Sequence, residues 1–163
     1  MQFAPIPKDE KERLKALRRM MILDTEEELR FDILTKEAVK RLNIPIAAIS
    51  FLDLDREWYK SIQGLNKKEG RRDISFCGHA LLAKDIFIVE DTLKDIRFSD
   101  NPMVIKYPFI RAYAGIALID YVSGHSVGVF CVKDTEPRHF NIKEIGTLVD
   151  IASRAEEEIN KDK

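Results

Sequence analysis

The sequence predicts an α/β domain of the α+β type, a central antiparallel sheet of five or six strands with helices on both faces. Three observations carry this reading. Ile46 to Leu52 is almost wholly apolar, as a central strand covered on both faces should be. Two pairs of short strand-like runs are joined by polar turns. The chain then closes on a helical stretch whose apolar positions form a nearly continuous seam.

In chain order, Lys8 to Ile22 carries Leu14, Leu17 and Met21 at helical spacing among charges, with Pro7 suited to the first turn, so an opening helix is placed over 7–22. Thr25 is read as the cap of a second helix, with Glu28 completing a capping box. Phe31, Leu34, Ala38 and Leu42 are its buried stripe, and Asn43 before Pro45 ends it. After the Ile46–Leu52 strand, Asp53 to Arg56 turns the chain into a second strand around Trp58 to Ile62, where Trp58 reads as core. Gly64 to Asp73 is read as loop, its basic run Lys67 to Arg72 as a solvated one because Glu69 and Asp73 are interspersed. A short helix follows Ser75, and Ile86 to Val89 is a third strand. Arg111 to Ile119 and Val127 to Val132 form another hairpin. Asn141 caps the last helix, 141–160, with Ile142, Ile145, Leu148, Val149, Ala152, Ala155 and Ile159 as its seam.

The 163 residues suit a single domain, 1–163, able to bury one core without staples. Lys and Arg number 27 against 28 Asp and Glu, a net charge of −1, which argues against a nucleic-acid or anionic-membrane surface. Two cysteines are too few for a disulfide scaffold, and no apolar run approaches a membrane span or a signal peptide, so the expected setting is cytoplasmic.

The stretch Ser75-Phe76-Cys77-Gly78-His79-Ala80-Leu81 places a thiol and an imidazole on one helical turn. Ser75 is a natural N-cap, and a cysteine just inside a helix start gains thiolate character, so Cys77 is expected to react with thiol reagents before Cys131. Inert packing is the competing reading for Cys77, and Cys131 on an apolar strand reads as core. Two residues apart, Cys77 and His79 point about 200° from each other, which excludes a dyad or a shared metal. His79 has two readings, facing a pocket or bonding a backbone carbonyl. His125 falls in a hairpin turn and His139 beside an exposed Arg138, so no metal set and no catalytic set is predicted. Phosphate loops, nucleophile elbows and zinc-protease helices are absent from the sequence.

The ordered motifs Leu14-Lys15-Ala16-Leu17, Ile22-Leu23-Asp24-Thr25, Phe31-Asp32-Ile33-Leu34, Pro45-Ile46-Ala47, Trp58-Tyr59-Lys60-Ser61, Ser75 to Ala80, Asp91-Thr92, Arg97 to Pro102, Arg111 to Gly115 and Gly128 to Asp134 span most of the chain. Together they make it resemble the GAF domain family, in particular the branch fused to bacterial diguanylate cyclases and histidine kinases. That resemblance implies a sensory module in signal transduction, with terminal helices on one face of the sheet and a ligand-pocket segment on the other. The implied pocket wall is Cys77 to Tyr113, and the candidate ligand-binding residues are Cys77, His79, Asp91, Arg97, Asp100, Asn101, Arg111 and Tyr113. Mixed polar and aromatic lining suits a small-molecule pocket. The same residues have structural readings: Asp91 and Asn101 as turn and helix caps, Arg97 and Arg111 as partners of nearby carboxylates.

The ligand is not named by the residues. The cyclic-nucleotide motif of the family is incomplete at Asn66-Lys67, the histidine that follows a bilin-bearing cysteine is replaced by Gly78, and the cysteine set of free methionine sulfoxide reductases is not reproduced. The expected function is small-molecule sensing without catalysis. The alternatives are a redox module using Cys77, with methionine sulfoxide reductase-like chemistry, and a ligand-free interaction scaffold. A signalling output protein or domain is the expected partner. A homodimer through the terminal helices is also expected, since Leu14, Ala16, Leu17, Met20 and Met21 add a second wide apolar stripe.

Overall fold

The computed structural model describes residues 1–161; Asp162 and Lys163, the end of the domain expected over 1–163, lie outside the described residues. The elements are α1 (Glu10–Arg19), α2 (Leu29–Leu42), β1 (Ile46–Leu52), β2 (Arg56–Gln63), β3 (Glu69–Arg71), α3 (Phe76–Ala80), β4 (Phe87–Val89), α4 (Pro102–Ile105), β5 (Ala112–Ile119), β6 (Ser126–Asp134) and α5 (Ile142–Asn160). The six strands form one sheet in the order β3-β2-β1-β6-β5-β4, every neighbouring pair antiparallel.

Strand alternation sorts side chains between two apolar layers. Ala47, Ile49 and Phe51 of β1 and Phe130 and Val132 of β6 pack with Leu17 of α1, Phe31, Leu34 and Ala38 of α2, and Leu148, Ile151 and Ala155 of α5. Trp58 joins this layer beside Phe51, as expected. On the opposite face Ile46, Ala48, Tyr59, Tyr113, Val129 and Cys131 pack with Phe76, Cys77 and Ala80 of α3 and with Met103 and Val104 of α4. The terminal helices therefore share one face, and the Cys77–Tyr113 segment covers the other.

Helix ends show where local chemistry decided. Asn43 ends α2 in the left-handed region at φ 48°, which its short polar side chain tolerates. Asn141 and Glu144 form a reciprocal capping box at the start of α5. Arg138, expected to be exposed, is mostly buried: it donates to the carbonyls of Leu42 and Asn43 and to Asp134 and Glu144, joining the end of α2 to the start of α5. A cation there also complements the negative end of the α2 dipole.

Several boundaries differ from the sequence expectation. The first helix is shorter than 7–22, because Met21 and Asp24 take positive φ values of 53° and 62° and end the helical path. The second helix starts at Leu29, not at Thr25, and its N-cap Glu28 makes no capping hydrogen bond. Lys60 explains this: its buried ammonium donates to Thr25 Oγ1 (2.8 Å) and the Glu26 carbonyl (2.5 Å) and pairs with Glu28 (2.7 Å), holding 25–28 as a non-helical strap. The 64–73 loop contains β3, paired with β2 through Arg56, Glu57 and Trp58. Arg72 within the basic run is buried rather than solvated, bonded to Glu10 and to the Asp53 and Leu54 carbonyls.

Candidate functional site

The site is built on the sheet face beneath α3. Ser75 caps this helix by accepting from the Gly78 amide at 3.1 Å, and its hydroxyl donates to Glu57 Oε1 at 2.7 Å, so one residue fixes both the helix start and a carboxylate on β2. The chain start lies across the outer side of α3. The Gln2 and Ala4 amides donate to the Arg97 and Asp73 carbonyls, each at 2.9 Å, and His79 Nε2 lies 3.3 Å from the Gln2 carbonyl. Gly78 permits this contact, since a Cβ there would stand 2.5 Å from the Ala4 methyl.

Beneath the helix, strand alternation brings Glu57 and Tyr59 of β2, Ser50 of β1, Tyr113 of β5, and Cys131 and Lys133 of β6 together with Cys77. All of them are buried. Burial opposes charge on Glu57, yet the Lys133 charge and its polar neighbours, the Ser75 hydroxyl among them, hold its carboxyl below the usual range. Burial likewise opposes the Lys133 charge, but acidic and phenolic neighbours, Tyr59 first, raise its pKa well above the ordinary lysine value. The two charges do not bond directly: Oε1 is taken by Ser75 and, at 3.4 Å, Tyr59, while Oε2 has no hydrogen-bond partner of good geometry. The buried Ser50 hydroxyl is likewise without a hydrogen-bond partner. Lys133 lies 5.9 Å from the Tyr59 ring centre and Lys67 lies 5.7 Å from it.

Cys77 accepts a hydrogen bond from the Tyr113 hydroxyl at 3.0 Å and is fully buried. Burial pushes its thiol well above the ordinary value, the reverse of the thiolate expected from its place at a helix start. A five-residue helix has little dipole to set against that desolvation. Cys131 is shifted the other way, down, chiefly by its neighbour Cys77, with the Lys133 charge acting in the same sense. The expected order of reactivity, Cys77 at a helix start before Cys131 on a core strand, is therefore not supported by their placement, because both are fully buried.

Of the other candidate residues, Tyr113 belongs to this cluster and His79 packs against Phe98 and Phe87 at its edge. Burial lowers the His79 pKa, and the imidazole takes the backbone-bonding reading. Asp91 caps a turn over Thr92–Lys94 and pairs with Arg111 at 3.0 Å. Arg97 pairs with Asp95 at 2.7 Å, Asp100 with the chain's amino terminus, and Asn101 caps α4 while donating to the Ile74 carbonyl at 2.9 Å. These five hold the connection together around the cluster rather than meeting at one point. The space beneath is filled by the stack of Phe76 on Phe98 and Tyr113, with ring centres 4.4 and 5.3 Å apart.

Open cavities lie elsewhere among the described residues. A polar cleft of about 580 Å³ lies along β2 and the 24–27 strap, and an apolar groove of about 330 Å³ lies between α5 and β5, lined by Ile86, Ile116, Val149 and Ala152. Glu57, Tyr59 and Lys133 are the site residues the sequence reading missed. Their signal was present: Glu57 alternates with Trp58 in β2, and Lys133 stands two residues after Cys131, on the same face of β6.

No family model matches the chain. It is 38% identical over 138 residues to a cyclic di-GMP phosphodiesterase of Pseudomonas aeruginosa, a match covering 85% of this chain and 23% of that protein; the chain thus spans about a quarter of that relative's length. Solved structures resemble it in fold at low identity. The GAF domain of an Acinetobacter phosphoenolpyruvate-protein phosphotransferase superposes with a TM-score of 0.62 at 19% identity, covering 91% of this chain and 92% of that one. The PixJ GAF domain of Thermosynechococcus elongatus gives 0.60 at 14%, covering 91% and 89%. A free methionine-R-sulfoxide reductase of Neisseria meningitidis, solved with its substrate, gives 0.63 at 13%, covering 98% and 95%.

Proposed function

We propose that this chain, whose fold is that of the GAF domains, is a regulatory module that senses a small polar molecule on the face beneath α3. One observation carries the reading: a buried carboxylate and a buried ammonium, Glu57 and Lys133, share that face without bonding each other, and Glu57 Oε2 is left unpartnered. An unsatisfied buried charge is costly, so a ligand that donates to Glu57 and accepts from Lys133 gains from both groups. Zwitterions such as free amino acids have that chemistry. Because the aromatic stack fills the space, binding requires α3 and the residues across it to move outward, and this motion is the signal. The relative named as a cyclic di-GMP phosphodiesterase supports a role beside an enzyme of cyclic-dinucleotide metabolism, with the aligned quarter acting as its regulator.

Output runs through α5. Ile142 is 90% exposed and Val149 49% exposed on its outward side, continuous with the apolar groove, and a second copy of the chain covers them in a homodimer. Leu17, expected at such an interface, is fully buried in the monomer core and is not part of it.

Thermal-shift measurements under reducing conditions, with a panel of free amino acids and with cyclic di-GMP, test the sensing role. A compound that raises the melting temperature of the wild type and not of Glu57→Gln supports it; no shift from any compound leaves the filled face as the resting form of a ligand-free scaffold. The close aromatic stack favours that second reading.

A further inference from the structure

We propose that Cys77 and Cys131 are a peroxide-oxidisable dithiol that closes into an intramolecular disulfide, linking α3 to the centre of the sheet. Three placements bring the sulfurs together. Cys131 sits opposite Ala48 on β1 and Gly115 on β5, so both flanking positions on its face are small and α3 can come close to it. The Tyr113 hydroxyl occupies the space a Cβ on Gly115 would fill, 2.3 Å from that position, which sets the phenol beside Cys131. From there it donates to Cys77 Sγ at 3.0 Å. Cys77, Tyr113 and Cys131 thus meet at one point on the sheet, within one apolar cluster.

The cysteines divide the work by environment. Cys131 lies two residues from the Lys133 charge on the same face of β6, which favours its thiolate, whereas burial keeps Cys77 a thiol. Cys131 sulfur attacks hydrogen peroxide, breaking the O–O bond, and becomes a sulfenic acid with release of one water. Cys77 sulfur then displaces the sulfenic hydroxyl, which leaves as a second water with the Cys77 proton. The sum is two thiols plus one hydrogen peroxide giving one disulfide and two waters. Bonding requires the sulfurs to approach to about 2.05 Å. α3 is a five-residue helix held at its start by the Ser75 cap, and closure draws it toward the sheet. The oxidation is independent of the ligand reading, since it uses no ligand, while ligand screens run under reductant leave both thiols free.

The test treats the 163-residue protein with hydrogen peroxide, then denatures it and alkylates with iodoacetamide. The expected product is a monomer that has lost two hydrogens, takes up no alkyl group, and yields on proteolysis one linked peptide pair containing Cys77 and Cys131 that dithiothreitol separates. In Cys131→Ala, oxidation of Cys77 falls to background. Tyr113→Phe, which keeps the ring and removes only the hydroxyl, folds and slows closure. Two alkylated cysteines after peroxide, separate sulfinic acids, or a disulfide joining two chains would each overturn the proposal.

Discussion

Gly115 has room for no side chain because the Tyr113 phenol lies over its Cα, with the hydroxyl 2.3 Å and the ring carbon Cζ 2.8 Å from where a Cβ would be. A tyrosine ring cannot flex away as a lysine would, and Tyr113 is fully buried. Gly115→Ala is expected to destabilise the protein by about 1–3 kcal/mol, read from urea unfolding, because overpacking forces the ring out of its place. Glu37 illustrates a different residue-scale effect. Hydrogen bonds from Arg154 and then Arg41 hold its pKa down to about 2 across the α2–α5 contact. A carboxylate with a depressed folded pKa contributes stability above its unfolded value near 4.5, and that contribution is lost as pH falls toward 2. Allowing for solvent screening of this partly exposed network, Glu37→Gln is expected to cost about 1 kcal/mol at pH 7 and much less near pH 2, as measured by denaturant titration at both. Such residue roles were only partly legible in the sequence. Asp91, Arg111 and Asn101 do what their turn chemistry suggested, but the reversal at Cys77 arises from burial that no local pattern encodes.

At the scale of elements, legibility followed local chemistry. Asn43, Ser75, Asn101 and Asn141 all cap where the sequence placed caps, since each acts on amides or a conformation within three residues of itself. Asn141→Ala should lower stability by about 1 kcal/mol, and a urea midpoint unchanged from wild type would show that the α5 capping box adds nothing. Thr25 failed as a cap because Lys60, thirty-five residues away, takes its hydroxyl. β3 was missed for the same reason: its charged residues, Glu69 and Arg71, acquire strand geometry only from pairing with β2. The candidate site was half legible. Its helix and cap could be read directly, whereas the Glu57–Lys133 relation joins residues 76 positions apart in the chain.

For the whole molecule, the proposed dimer is the property most open to measurement. Light scattering should give twice the 18.8 kDa chain mass for wild type and the chain mass for Val149→Glu, whose substitution lies on a half-exposed position and spares the core. A monomeric wild type, or a dimer indifferent to the change, places output elsewhere. The described residues contain no helix long and apolar enough to cross a membrane.

The sheet order places β1 against β6 at its centre, although 87 positions separate Ile46 from its partner Lys133. During synthesis the β1–β2 hairpin therefore emerges long before the strand that completes it, with Ala48, Phe51 and their neighbours presenting an unpaired apolar edge. Such an edge is open to wrong partners until the ribosome has released Asp134, and contacts this distant in sequence also close slowly. Chains ending before Ser126 should remain unfolded and collect in the insoluble fraction, whereas chains carrying β6 and α5 are soluble. The centre of the sheet is completed only by the last of its six strands.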